Sequence, residues 1–281
     1  MSASMDSDTI MNHPETDDGY TLLLRLSAPW QSWGVDTRMD VRGTGIMPTK
    51  SGVIGLVCAA MGIGREDGSA SADGITLPDL AALRFGVRAD QPGVREMDYQ
   101  ISAQHIRRDY GREPSMSKGH GEETPFLTRR WYLADAVFLV GLHGGRGTLE
   151  SIAQALQDPV WPLYMGRKSC PMTGVLDDEP IIRISRVPLA EALKQEPWLA
   201  KPWWRRTHSP EALPMIVDDP EGDGAESFRD APLSFSKSYR RFGRRYVKTE
   251  SVPVPGSGDN PQDDDDMIMG FASSPQGEGK A

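Results

Sequence analysis

Runs of apolar residues along the chain predict a set of strands. Residues 20–26 (YTLLLRL) form a continuous apolar run, which is typical of a buried strand. Residues 83–88 alternate apolar with basic or small residues, which predicts a half-buried strand. Residues 131–142 (WYLADAVFLVGL) carry the strongest strand pattern in the chain. Weaker strand patterns lie at 163–167 or 181–187, at 213–217 and at 245–249.

Two helices are predicted between these strands. Apolar residues over 53–61 recur at helical spacing, with Ser51 as the expected N-cap and Gly62 at the end. The second helix is expected to begin with Thr148 as its N-cap and to end at Asp158, before a proline. Both helices would then turn one apolar face towards the strands.

The order of these elements predicts an α+β fold. Over residues 20–187 it suits a ferredoxin-like βαββαβ domain, with two helices on one face of an antiparallel sheet. Residues 188–250 carry shorter strand patterns, which predicts a small, mostly-β C-terminal subdomain. Residues 1–19 and 251–281 are rich in acids and poor in aliphatic side chains, so we expect a disordered extension and a disordered acidic tail.

Composition excludes several classes of protein. The mean hydropathy of −0.46 and the short apolar runs do not suit a membrane span, which needs about 18 apolar residues. No basic residue or apolar core precedes Arg25 in the manner of a signal peptide. Two cysteines are too few for a disulfide framework or a zinc site. We therefore expect a cytoplasmic protein without a metal or cofactor.

The net charge of −9 is unevenly distributed along the chain. Residues 1–19 and 251–281 carry −5 each, which leaves +1 for residues 20–250. Basic residues are concentrated in residues 104–130 (QHIRRDYGREPSMSKGHGEETPFLTRR), between two predicted strands. A basic stripe on a nearly neutral body indicates a polyanionic partner such as RNA.

Two segments that combine glycine with cations could hold phosphate. Lys50 and Ser51 stand at a predicted helix N-terminus, although this segment lacks the glycine that a nucleotide-binding P-loop needs before its lysine. A plain N-cap with a solvated lysine explains them equally well. The other segment is Gly166-Arg167-Lys168-Ser169, where glycine permits close backbone approach. The cations beside Cys170 could lower the pKa of its thiol, but no partner base is evident.

The remaining candidates concern RNA cleavage and stacking. His105 and His120 lie in the basic segment and could serve acid–base cleavage of RNA, although solvated histidines are the simpler interpretation. The five histidines share no metal-ligand spacing. The Trp/Arg cluster at 198–206 and the segment SYRRFGRRY at 238–246 could stack bases or anchor a protein partner.

Four motifs taken together resemble one known family. They are PWQSWG at 29–34, PTKSGVIGL at 48–56, WYLADA at 131–136 and LYMGRKSCP at 163–171. In this order they look like the CasD (Cas-five) family of type I-E CRISPR Cascade subunits, in the RAMP superfamily. The resemblance covers about residues 20–250 and includes neither terminal segment.

The resemblance implies a non-catalytic RNA-binding subunit. Such proteins hold the 5′ handle of crRNA, lie between the backbone subunit CasC and the large subunit CasA, and meet target DNA only through the complex. A long thumb hairpin, here residues 100–130, kinks the guide. Relatives in other CRISPR subtypes are metal-independent endoribonucleases that process pre-crRNA, which is the alternative function. A scaffold that uses residues 198–206 only for protein contacts is a third.

The family's functional residues can be carried over segment by segment. The implied handle contacts are Arg38, Arg42, Lys50, Ser51, Arg107, Arg108, Arg129, Arg167, Lys168 and Ser169. The implied thumb residues are Tyr110, Arg112, Met116 and Lys118. No catalytic residue, metal ligand or cofactor is implied.

Overall fold

The computed structural model describes residues 19–34, 41–103, 125–172, 182–222 and 226–255. Within these ranges lie nine strands and five helices. The strands are β1 (Tyr20–Gln31), β2 (Val41–Arg42), β3 (Arg84–Gln91), β4 (Val94–Ala103), β5 (Pro125–Gly144), β6 (Ile182–Ser185), β7 (Ala212–Asp218), β8 (Glu226–Ser234) and β9 (Arg241–Pro253). The helices are α1 (Lys50–Ala60), α2 (Leu77–Ala82), α3 (Arg146–Gln157), α4 (Leu189–Gln195) and α5 (Pro202–Thr207).

All nine described strands belong to one sheet. Seven of them follow the order β6-β1-β5-β3-β7-β9-β8, and every neighbouring pair in this path is antiparallel. The 20-residue β5 lies between β1 and β3 over its second half. Its first half pairs with β4 and with the two-residue β2 instead. The mixed α/β architecture predicted from the sequence is therefore confirmed.

Helices cover both faces of the centre of the sheet. On one face, Phe138 and Val140 of β5 share a core with residues of α1 and α3. On the other face, Leu139 packs with Leu189 and Leu193 of α4. A strand buried on both faces has no polar side to alternate with an apolar one, which explains the continuous apolar pattern over 131–142.

The predicted half-burial of residues 83–88 is wrong. In β3, Arg88 is completely buried, because α4 covers the face that the alternation assigned to solvent. Its guanidinium forms a two-point ion pair with Asp90 and donates to the backbone oxygens of Leu193, Glu196 and Pro197. A buried arginine is tolerated when its N–H groups find acceptors. Here the acceptors lie at the carboxyl end of α4.

Two predicted helix starts shift by a few residues. The N-cap of α1 is Thr49, whose hydroxyl accepts from the backbone N–H of Gly52 at 3.2 Å, and Ser51 lies in the first turn. The N-cap of α3 is Gly145, so the expected cap at Thr148 is wrong. The predicted ends hold, with Gly62 at a positive φ of 70° and Asp158 as C-cap.

The C-terminal strands extend the main sheet. The patterns at 213–217 and 245–249 are found as β7 and β9, and β7 pairs with β3. The expected start of the tail at residue 251 is wrong, because β9 continues to Pro253 and both Val252 and Val254, the residue after the strand, are buried. The division into a main domain and a small subdomain stays a prediction. Residues 1–18 and 256–281 lie outside the described residues.

The predicted thumb begins as a two-stranded ribbon. β4 and β5 pair from Val94 opposite Ala134 to Ala103 opposite Pro125. Residues 104–124, which include most of the basic segment, lie outside the described residues. Within the described ranges, no helix is long and apolar enough to cross a membrane.

Candidate nucleic-acid interface

A cleft of about 920 Å³ lies where three motif segments meet. One wall is one face of α1 with the residues that follow it, and a second is the segment 161–168 after α3. The third wall comes from Phe235, Arg240 and Phe242 at the turn between β8 and β9. Segments far apart in sequence are therefore brought to one concave surface.

The loop directly after β1, residues 32–34, forms the floor of this cleft. Trp33 is completely buried, and its indole N–H donates to Gln31 Oε1 at 3.1 Å. The Gln31 amide in turn donates to the backbone oxygen of Ala136 at 2.7 Å. A Cβ on Gly52 would lie 2.9 Å from the Trp33 ring, so glycine there lets α1 pack directly on the tryptophan. The motifs at 29–34 and 48–56 thus form a single packing unit.

Gly166 lets the second wall approach that loop. Its φ is +88°, and a Cβ would lie only 1.8 Å from the backbone oxygen of Ser32. Ser32 donates its N–H to the backbone oxygen of Met165 at 3.0 Å. Any side chain at position 166 would be both strained and in steric conflict. The close approach found here is to the backbone of Ser32, and an approach of this segment to phosphate stays a prediction.

Arg167 links the loops that border the cleft. Its guanidinium donates to the backbone oxygens of Trp131, Arg42 and Gly43 at 2.8 to 3.2 Å. It also lies 5.2 Å from the centroid of the Tyr132 ring. These contacts occupy much of its hydrogen-bonding capacity, so Arg167 positions the walls of the cleft as well as lining it.

The prediction that Lys50 holds a phosphate is wrong. Lys50 is 2% exposed, and its ammonium donates to Asp218 Oδ2 at 3.1 Å. Its backbone N–H, at the start of α1, donates to Asp230 Oδ2 at 2.8 Å. A desolvated ammonium that already has a carboxylate partner inside the protein does not reach a phosphate on the surface.

Lys50 belongs to a buried network that the sequence did not reveal. Arg245 binds Asp218 at 2.6 Å and Asp230 at 2.6 and 3.1 Å, and Asp218 also accepts from the backbone N–H of Phe85. Burial lowers the pKa of Arg245, but its hydrogen bonds and charge pairing with the two aspartates outweigh this and raise it. Two cations and two carboxylates thus join β7, β8 and β9 to the start of α1.

The cleft is lined by cations that do remain accessible. Arg42, Arg65, Lys168 and Arg240 are exposed, and Arg167 is half-buried. Aromatic rings lie beside them, with Trp161 44% exposed and Phe235 and Phe242 half-buried. Among the described residues that line the cleft there is no aspartate, glutamate or histidine. Cations with aromatic rings suit single-stranded nucleic acid.

The other predicted contact residues are partly gathered at this cleft. Ser51 and Lys168 line it together with Arg42 and Arg167. Ser169 is exposed next to it, with its hydroxyl 3.2 Å from that of Tyr132. Arg129 is exposed on the β4–β5 ribbon and is not among the lining residues. The predicted residues that lie outside the described ranges are Arg38, Arg107, Arg108, Tyr110, Arg112, Met116 and Lys118.

Several cleft residues with charged or aromatic side chains were missing from the predicted contact set. Arg240 and Phe242 belong to segment 238–246, in which arginines alternate with aromatic residues. This pattern in the sequence could have indicated an RNA contact. Arg65 and Trp161 stand in short connections without any such pattern. They reach the cleft only because the chain turns back beside α1 at both places.

Neither cysteine has the lowered pKa that is typical of a reactive thiol. Burial raises the pKa of the Cys58 thiol to about 12. Burial also raises the pKa of Cys170, and the hydrogen bond from Ser169 and the charge of Arg167 offset this only in part. The expected lowering of the Cys170 pKa is therefore wrong, because the side chain is completely buried and burial outweighs the effect of the nearby cation.

Comparison with known proteins agrees with the motifs. A family model described as CRISPR-associated protein (Cas_Cas5) matches residues 21–248. The "CRISPR system Cascade subunit CasD" of Escherichia coli (strain K12) is 34% identical over 170 residues, which are 55% of this chain and 68% of that protein.

Two solved structures extend the similarity to the fold. "Crystal structure of Cas protein" has a TM-score of 0.58 at 38% identity and covers 84% of this chain and 97% of its own. "CRISPR RNA-guided surveillance complex" has a TM-score of 0.61 at 29% identity. The match covers 84% of this chain and 91% of that chain. Since the family model spans most of the chain and includes all three walls of the cleft, the chain belongs to the Cas_Cas5 family of CRISPR-associated proteins.

Proposed function

We propose that this protein is a non-catalytic, crRNA-binding subunit of a type I-E Cascade surveillance complex and holds the 5′ handle of the guide in the cleft. The observation that carries the proposal is the exposed set of four cations beside aromatic rings, all within the family match. The 34% identical E. coli relative is a Cascade subunit.

The chemistry of the cleft suits a single strand of RNA. Arg42, Lys168 and Arg240 would neutralise phosphates, while Trp161 offers an exposed ring on which a base can stack. Arg167 would act mainly by holding the loop with Arg42 in place. Below these residues, the buried and hydrogen-bonded Trp33 would give the strand a packed floor.

The finer fold assignments belong to the same proposal. The strand order β6-β1-β5-β3, with α1 and α3 in the core on one face, is the arrangement expected for a ferredoxin-like βαββαβ unit. The β4–β5 ribbon would be the base of the thumb over residues 100–130, and its position beside the cleft would let it direct the guide away from the handle.

The proposed protein partners are CasC and CasA, and the proposed location is the cytoplasm. Every second residue of β4 from Met97 to Ile101 is an exposed apolar side chain, so these residues share one face. Met97, Tyr99 and Ile101 are 45%, 53% and 66% exposed. A row of this kind on the ribbon is suited to burial against another subunit. Target DNA would be met only through the assembled complex.

The test is a charge-matched comparison of crRNA binding. The cleft variant carries Arg42→Ala, Lys168→Ala and Arg240→Ala in the full chain. The control removes three exposed cations that form ion pairs away from the cleft, Arg146→Ala, Arg183→Ala and Lys248→Ala. Each lost phosphate contact should reduce the salt slope of binding by roughly 0.7 for single-stranded RNA.

The cleft variant should therefore lose affinity for handle-containing RNA by more than tenfold at low salt, with a salt slope lower by about two. The control variant should keep the parental affinity and slope. Equal losses in the two variants would mean that only net charge matters and would refute the assignment of the cleft.

Incubation with a repeat RNA tests whether the protein only binds RNA or also cleaves it. We expect the full chain to leave a cognate repeat RNA intact in the presence of EDTA. His143 is buried against Thr21 and His208 is stacked on Trp204, and neither lines the cleft. His105 and His120 lie outside the described residues. Specific cleavage that is lost in His105→Ala or His120→Ala would establish the enzyme and reject the non-catalytic assignment.

A further inference from the structure

The short helix α5 presents an aromatic and cationic surface. No residue of α5 is buried, and Trp203 is 44% exposed. Trp204 stacks on His208 with ring centroids 3.5 Å apart, and its ring is 5.6 Å from that of Trp203 in an edge-on contact. The side chains of Arg205 and Arg206 are exposed beside them. We call this the α5 surface, residues 203–208.

A helix of this kind has little to stabilise it by itself. Helices shorter than about 12 residues are marginal in water, and most helical stability in proteins comes from packing an apolar face. α5 has six residues and packs none of them into the core. Among the described contacts, it is held at its start, where the backbone N–H of Lys201 donates to Gln91 and the Lys201 ammonium pairs with Asp135. The α5 surface is also separate from the cleft, since none of its residues lines it.

The chain itself carries a complementary segment. Residues 263–271 read DDDDMIMGF, four consecutive carboxylates followed by four large apolar side chains among five residues. The carboxylates match the two arginines of the α5 surface, and the apolar residues match its tryptophans. Elsewhere in residues 256–281 large apolar side chains are absent from the sequence.

The fold brings the start of this segment close to α5. The last residue of β9, Pro253, pairs with Ala212, the first residue of β7. Ala212 follows Thr207, the end of α5, by only five positions. Five residues span at most about 18 Å, whereas the ten residues from Pro253 to Asp263 reach up to about 35 Å. The segment can therefore reach the α5 surface without strain, at the high effective concentration of a short tether.

We propose that residues 263–271 bind the α5 surface of the same chain, with the aspartates on Arg205 and Arg206 and the apolar residues over Trp203. This inference goes beyond the RNA-binding function and does not rest on it. It assigns to the C-terminal segment the role of covering an aromatic surface in the isolated subunit.

The first test measures protection of the helix from trypsin. The tail variant replaces the four carboxylates with amides, Asp263→Asn, Asp264→Asn, Asp265→Asn and Asp266→Asn. The control makes the same change in charge at the other end of the chain, with Asp6→Asn, Asp8→Asn, Asp17→Asn and Asp18→Asn. Cleavage after Arg205 and Arg206 should be about fivefold faster in the tail variant, as expected for the loss of two exposed ion pairs. The control should match the parent, and equal rates in parent and tail variant would overturn the proposal.

The second test locates the segment directly in the full chain. A nitroxide on Ser274→Cys can be attached selectively because Cys58 and Cys170 are buried. It should broaden the indole N–H signals of Trp203 and Trp204 and leave that of Trp161, in the cleft, sharp. Broadening of Trp161 instead would place the segment in the cleft and overturn the proposal. Broadening that appears only between differently labelled molecules, and grows with concentration, would assign the contact to a second copy and overturn it as well.

Discussion

Replacing Lys50 tests the most consequential correction that the structure makes. The substitution Lys50→Met keeps most of the methylene stem and removes the charge. If Lys50 held a phosphate, this variant would fold normally and bind RNA with a lower salt slope. Since its ammonium is buried on Asp218, we expect the opposite, which is an unstable protein with unchanged RNA contacts.

The magnitude follows from the charges in the network. In the native protein Lys50 and Arg245 balance Asp218 and Asp230, so the buried group is neutral. Lys50→Met leaves one negative charge in excess. Removing one partner of a buried pair costs roughly 3–5 kcal/mol, and we expect about 3 kcal/mol because Asp218 keeps Arg245 and the Phe85 N–H as donors. At 2–4 °C per kcal/mol, the melting temperature should fall by roughly 6–12 °C.

The assay combines thermal unfolding with RNA titrations at several salt concentrations. The matched control is Lys168→Met, which makes the same change on an exposed lysine that lines the cleft. The free energy of unfolding of the control should lie within about 0.5 kcal/mol of the parental value. Its RNA affinity should depend less on salt, with a slope lower by roughly 0.7. Adding Asp218→Asn to Lys50→Met makes the buried group of charges neutral again. The double variant should therefore be about 1–2 kcal/mol more stable than the sum of the two single substitutions predicts.

Two results with the single variants would refute this reasoning. One is a Lys50→Met protein with the same melting temperature as the parent, because Lys50 would then be a solvated lysine and not a buried one. The other is a salt slope that falls in Lys50→Met as much as in Lys168→Met, since that would place the ammonium on RNA. A double variant less stable than the sum of its single variants would also contradict the network.

The remaining predictions concern the cleft, the thiols and the ends of the chain. Gly166→Ala should destabilise the protein by at least about 2 kcal/mol in urea unfolding, because of the positive φ and the Ser32 oxygen, and parental stability would contradict the close approach. Cys58 and Cys170 should resist iodoacetamide in the native protein at pH 8 and react once it is unfolded, because their raised pKa values keep the thiols neutral; mass spectrometry after timed alkylation checks this. A chain of residues 20–255 should still join the complex, whereas one ending at 250 should be less stable because it loses Val252 and Val254, and equal melting temperatures would argue against that loss. Replacing residues 111–121 with a Gly-Ser turn should preserve folding and handle binding but reduce target-DNA binding by the assembled complex; normal target binding would reject the thumb role.

Much of the architecture could be read from local patterns. The apolar runs located β1, β5 and α1, because burial on a sheet or along a helix imposes a period on neighbouring residues. The glycine of the 163–171 motif is required by its own backbone, since only glycine tolerates φ of +88° against the Ser32 oxygen. These are properties that a residue expresses through its own backbone or its nearest neighbours.

The roles of charged residues were decided by tertiary structure alone. Lys50 and Lys168 are both lysines beside a serine in a motif with glycine, yet one is buried on Asp218 and the other is exposed in the cleft. The difference arises because β7, β8 and β9 bring Asp218 and Asp230 to the start of α1 from 168 and 180 residues away. Likewise, α4 buries Arg88 on a strand whose pattern indicated solvent. The sequence determined which segments form helices and strands, but the partner of a charge depends on long-range packing, because electrostatic and desolvation energies depend on distance in space and not on separation along the chain.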